Sequence, residues 1–202
     1  MRIYIKLSFI LISITFISAC VSFDPSMLRP SDNSIDNKLL PLELSHSEET
    51  QEISVKEYKE VNYQSIYYTI FERELRQNVF KVDENQYGNI ELTIVYDRYD
   101  KSDGIGYVSA FMLFMPSVVG FPLYTVNQYT EVEITINDTN NKLIKRYNYG
   151  KKLFRLIGFY YGHKYASPDN TRAEVFKDII EEFKTDLAKD SMEINKILKL
   201  AD

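Results

Sequence analysis

One cysteine, two histidines and no tryptophan occur in this sequence of 202 residues. The single cysteine, Cys20, excludes an internal disulfide, so any folded part must be held by its core. With 45% hydrophobic residues the chain has the material for one. His46 and His163 give imidazole catalysis little to work with, and no HExxH, P-loop, GxGxxG or Ser-His-Asp order is present. The expectation is a chain with no catalytic residues, no metal site and no cofactor. Acids outnumber Lys and Arg, 29 to 24, which weighs against general nucleic-acid binding.

Two further absences are local. Residues 104–130 contain no charged side chain, and no acid occurs between Asp138 and Asp169. Within the second interval Lys142, Lys145, Arg146, Lys151, Lys152, Arg155 and Lys164 are interleaved with seven tyrosines and phenylalanines. Basic residues among aromatic rings suit a lipid headgroup interface, where each cation near an anionic surface is worth about 1 kcal/mol. The seven cations are therefore candidates for contact with a membrane or a partner. The alternative is pairing with the acidic C-terminal segment that carries Asp178, Glu181, Glu182 and Asp186. The uncharged run is as long as a membrane span, yet Pro116 and Pro122 would kink or break a helix. Bent core strands, a membrane-inserted segment and an apolar groove for a lipid or partner all remain open for it.

The start of the chain is more specific. Arg2 and Lys6 precede an apolar stretch, Leu7 to Ile17, which the small residues Ser18 and Ala19 follow. This is the layout of a secretory signal peptide. As a helix the apolar stretch spans only about 16 Å, too short for a hydrocarbon core of about 30 Å. Ile17-Ser18-Ala19-Cys20 resembles the lipobox of bacterial lipoproteins, with Ile in place of the preferred Leu at its first position. The resemblance implies cleavage before Cys20 by signal peptidase II, recognition through Ile17, Ser18 and Ala19, and lipidation (palmitate among the acyl groups) of Cys20. It also implies a bacterial envelope location, anchored in a cell membrane. Val21 follows the cysteine where an inner-membrane retention signal would have Asp, so in a cell with two membranes the resemblance favours the outer one, facing the periplasm. The alternative is an ordinary signal peptide that ends at a chance cysteine. Without residues 1–19 the remainder carries a charge of about −7.

Downstream the expected organisation is a lipidated cysteine and flexible tether over 20–51, then a single α+β domain over 52–202. The tether is rich in Ser, Asp, Asn and Pro, though Leu39, Leu40, Leu42 and Leu44 offer a way to dock it. "EISVKEY", 52–58, alternates as a short strand. From Asn62, a candidate N-cap, Ile66, Ile70, Phe71, Leu75 and Val79 recur at helical spacing. Gly88-Asn89 breaks the chain before a strand that alternates Ile90, Leu92, Ile94 and Tyr96. Val132, Ile134 and Ile136, the turn residues 137–141 and the return from Leu143 predict a β-hairpin. A helix over 171–190 buries Val175, Phe176, Ile179, Ile180, Phe183 and Leu187 and begins at a Thr171/Glu174 capping box. The order predicts a small antiparallel or mixed sheet with two amphipathic helices packed on one face.

The leading functional expectation is a non-catalytic envelope lipoprotein that binds a protein or lipid partner in assembly, transport or maintenance of the membrane. The element order resembles that of small auxiliary lipoproteins of bacterial envelope machines, whose compact α+β domains work as adaptors. One alternative inserts the 104–130 segment into the bilayer. Another is a cell-envelope hydrolase that uses Asp97, Asp100 or His163. "DRYDKSDGIG" gathers Asp97, Asp100 and Asp103 without the alternate spacing of a cation loop, so a solvated strand end is expected there.

Overall fold

The structure, a computed structural model, describes residues 23–46, 63–82, 85–103, 120–158 and 160–201. Its framework is a four-stranded sheet in the order β1-β2-β3-β4. Strand β1 (Glu43–His46) runs parallel to β2 (Asn89–Ser102), which pairs antiparallel with β3 (Tyr124–Asn137), and β3 with β4 (Leu143–Ile157). Helices α1 (Tyr63–Glu74) and α2 (Pro168–Ala201) pack on one face. The fold is α+β with a mixed sheet, as the sequence pattern predicts. The candidate N-cap Asn62 and the 52–58 strand lie outside the described residues.

Alternation decides the sheet. On β3, Val126, Val132, Ile134 and Ile136 are fully buried; Val132 and Ile134 stand opposite Tyr149 and Tyr147 of β4, and Ile134 and Ile136 opposite Leu92 and Ile90 of β2. The expected hairpin is present. Asp138 closes it, its carboxylate accepting from the backbone N–H groups of Asn140 and Lys142 at 2.8 Å each. Gly88, ahead of β2, has φ +150°, and a Cβ there would collide with the carbonyl oxygen of Asn137. Only glycine allows that approach without a shift.

Helix α1 buries Tyr67, Ile70 and Phe71, and a five-residue π turn (Leu75–Val79) extends it. That turn ends where the N–H of Phe80 donates to Leu75 O at 2.8 Å. Helix α2 carries the expected stripe and continues it through Ser191, Ile194 and Leu198, so it is 34 residues and about 51 Å long. It starts earlier than expected, with Pro168 at the first helical position. Proline suits that position because its missing N–H has no helical partner there. Thr171 is therefore not a cap but a buried residue of the first turn, its hydroxyl donating to Ser167 O and Tyr165 O.

The larger departure concerns the expected tether. Its described part, 23–46, is an integral layer of the domain, with Met27, Ile35, Leu39, Leu40 and Leu42 buried. Leu39 forms a bridge with Phe80, its carbonyl accepting from Lys81 N–H at 2.8 Å. Leu40 N–H donates to Asn195 Oδ1, and Asn195 Nδ2 donates back to the carbonyl of Lys38. Isolated leucines in a polar sequence carry no period, yet each fills a position over α1 and α2 that would otherwise face water.

Candidate functional site

Within the uncharged run, 104–119 lies outside the described residues, while Tyr124–Asn137 is strand β3. Val126, Gln128 and Thr130 are buried within the domain, so an inserted segment does not extend over the 124–130 part of the run. Among the described residues no helix is long and apolar enough to cross a membrane.

The seven cations do not form one patch. Lys142 sits beyond the hairpin turn and Arg155 near the other end of β4, so they are spread along a strand of 15 residues. Lys145, Lys151 and Arg155 lean toward α2, where they meet Asp190 at 3.0 Å, Glu182 at 2.5 Å and Glu174 at 3.6 Å. Hydrogen bonding to Glu182 holds the Lys151 ammonium above its ordinary pKa. Arg146 and Lys152 lie on the opposite face, Arg146 3.5 Å from Glu133 and Lys152 paired in register with Tyr129. Lys164, in a 3-10 turn (His163–Ala166), joins Arg155 at Glu174, and Tyr165 OH donates to the same carboxylate at 2.8 Å. Both cations also stand 5.1 Å from the Tyr165 ring.

The three aspartates diverge. Asp100 pairs with Arg98 at 2.6 Å, Asp103 with Lys101 at 3.4 Å, and Asp97 points inward. Arg172 Nε donates to Asp97 Oδ2 at 2.7 Å, with the two side chains 1% and 3% exposed. Tyr67 OH, Gln128 and Thr130 donate to the other oxygen. Burial, with the Asp97 charge, pushes the Tyr67 phenol well above its ordinary value. No group of three His, Cys, Asp or Glu able to hold a metal occurs among the described residues.

A second buried pair joins α1 to α2. Lys184 Nζ donates to Glu74 Oε1 at 2.7 Å, and Ser31 and Asn78 add further donors. Burial raises the Glu74 pKa, but these hydrogen bonds outweigh it and hold the carboxyl below its ordinary value. On an amphipathic helix the charges belong to the solvent face. Arg172 and Lys184 in fact fall on the buried stripe of α2, four residues from Phe176 and Ile180. A charge at an apolar stripe position is the signal that marks them.

One end of the sheet carries exposed rings. Phe121 is 59% and Tyr160 71% exposed, with Phe154, Leu156 and Tyr161 also open to water. Tyr161 OH donates to Gly120 O at 3.0 Å, and its carbonyl accepts from Gly158 N–H. The N-terminus of the described chain lies at this same end. Asp24 N–H donates to Asn170 Oδ1 at 2.8 Å, and Asn170 Nδ2 donates to Lys164 O at 3.0 Å. Ile17, Ser18, Ala19 and Cys20 lie outside the described residues.

No protein-family model matches the chain, and no curated protein matches it in sequence. Among solved structures it is similar to a minor lipoprotein from Acinetobacter baumannii (11% identity, 76% of this chain and 92% of that one, TM-score 0.35). It is also similar to rare lipoprotein B from Shewanella oneidensis (13%, 79% and 96%, TM-score 0.26). A third is a Xanthomonas campestris protein of the domain family DUF330 (8%, 91% and 94%, TM-score 0.29). All three TM-scores are below 0.5, and none of these likenesses carries a role to this chain.

Proposed function

We propose that this chain is a lipid-anchored lipoprotein of the bacterial envelope whose domain binds a protein or lipid partner without transforming it. The observation that carries this reading is the Ile17-Ser18-Ala19-Cys20 motif, set behind a short basic-apolar leader and only three residues ahead of Phe23, which packs against the core. A single acyl chain holds a protein weakly, whereas the two or three acyl chains of a processed lipoprotein make a stable anchor. A domain attached in this way has its place fixed by the lipid and its surfaces left for binding.

The side chains support binding over catalysis. Asp97 is enclosed by Arg172, Tyr67, Gln128 and Thr130, and Asp100 is paired with Arg98. A carboxylate enclosed as Asp97 is has no open position for a substrate proton. Val21 after the cysteine favours the outer membrane, facing the periplasm, in a cell with two membranes.

Labelling with a palmitate analogue tests the anchor. The wild-type protein is expected to take up label and float with membranes. Cys20→Ser is expected to lose the label and remain at precursor mass. Undiminished labelling of Cys20→Ser, or an unlabelled wild type, overturns the reading.

A further inference from the structure

We propose that the sheet end bearing Phe121, Tyr160, Tyr161 and the His163–Ala166 turn rests on the bilayer that holds the Cys20 lipid, with its aromatic rings at headgroup level. The inference builds on the anchor reading and adds a defined orientation and contact surface.

The reach of the chain sets the first constraint. Three peptide steps separate Cys20 from Phe23, which spans at most about 11 Å. Phe23 packs against the core, and Asp24 is bound to Asn170 near the start of α2. The lipid is thus held close to one end of the domain, and the membrane surface must pass that end. Asn170 links it directly to Lys164, and the glycine at 162, with φ +77°, turns the chain back so that Tyr161 meets Gly158 and Gly120. The exposed rings therefore lie a few residues from the anchor point.

Chemistry then selects lipid as the occupant. Exposed Phe and Tyr at one site suit the zone between water and hydrocarbon, where an apolar ring is covered and a phenol stays wet. The nearby cations already have acidic neighbours, Lys164 and Arg155 sharing Glu174 and Lys164 also lying near Asp24. Contact through rings rather than net charge follows. Tethering by the lipid supplies a high local concentration, so even a weak contact of this kind is occupied.

The chain has no tryptophan, which makes a direct test available. Tyr160→Trp, at an exposed position, puts a sole indole reporter at the proposed contact, and Leu200→Trp puts one near the far end of α2. The mature lipidated protein is reconstituted in phosphatidylcholine vesicles, with and without phosphatidylglycerol, and flotation is measured on the same samples. With brominated lipid the emission of the Tyr160→Trp protein is expected to fall roughly two-fold, because its ring reaches the interface. The emission of the Leu200→Trp protein is expected to stay unchanged. Quenching is expected to be the same at low and high salt and with either lipid mixture. A Tyr160→Trp protein that floats but stays unquenched overturns the orientation and leaves the anchor standing. Quenching lost at high salt overturns the ring contact in favour of an electrostatic one. Protein that neither carries lipid nor floats overturns the anchor reading itself.

Discussion

Arg172 Nε stands 2.7 Å from Asp97 Oδ2 in the interior of the domain, tying the start of α2 to the middle of β2 across 75 residues of sequence. Neither group is tolerable there alone, because removing one partner leaves a buried uncompensated charge. Asp97→Leu or Arg172→Met is each expected to destabilise the fold by about 3–5 kcal/mol, with the double variant costing less than the two added together. Urea unfolding of the three variants measures this, and strict additivity would refute the coupling.

The paired lysines of the domain divide by burial. Lys151 reaches Glu182 at the surface, whereas Lys184 is enclosed with Glu74. Lys151→Ala is expected to change stability by less than about 1 kcal/mol. Lys184→Ala strands Glu74 in the interior and is expected to cost several times more. Equal losses in the same unfolding experiment would contradict the difference in burial.

Acid should weaken the fold through Glu74. Its folded pKa is depressed below the ordinary value of 4.5, so its contribution is present above that value and is lost as pH falls through the lower folded pKa. Asp186 and Asp190, hydrogen-bonded by Lys189 and Lys145, act in the same sense. Burial pushes Asp169 and Asp178 the other way, and they lessen the slope. Urea midpoints followed from neutral pH into acid are expected to fall less steeply in Glu74→Gln than in the wild type. An identical acid limb would remove Glu74 from the account.

The segment ahead of α1 is expected to be indispensable. A chain of residues 23–202 should be monodisperse and unfold cooperatively, while 52–202 lacks β1 and the buried leucines and should aggregate. Leu39→Ala, at a position with no exposure, is expected to cost about 2–5 kcal/mol. Size-exclusion chromatography and thermal unfolding decide both. A well-behaved 52–202 fragment would return the segment to the status of a linker.

How far the sequence foretold this domain depends on whether a residue repeats with its neighbours. Val132, Ile134 and Ile136 alternate, and Val175 through Leu187 recur every three or four residues, so β3 and most of α2 were legible. Leu39, Leu40 and Leu42 obey no period because the segment carrying them is mostly irregular, and their burial is decided by Phe80 and Asn195, which lie far along the chain. The buried ion pairs were hidden for a related reason. Glu74 and Lys184 are 110 residues apart, and each by itself looks like the polar face of a helix. The cations of 142–155 are divided because alternation along β4 sends successive side chains to opposite faces, which the run of charges in the sequence does not display.

The clasp between the first and last parts of the chain also fixes when the domain can form. Asp24 holds Asn170 and Leu40 holds Asn195, across 146 and 155 residues. The amino-terminal arm finds part of its surface on β2 and Phe80, but the rest only when α2 is present. Loop closures of this span make folding slow and leave apolar groups uncovered meanwhile. Assembly is therefore a late event that is complete only when α2 is in place.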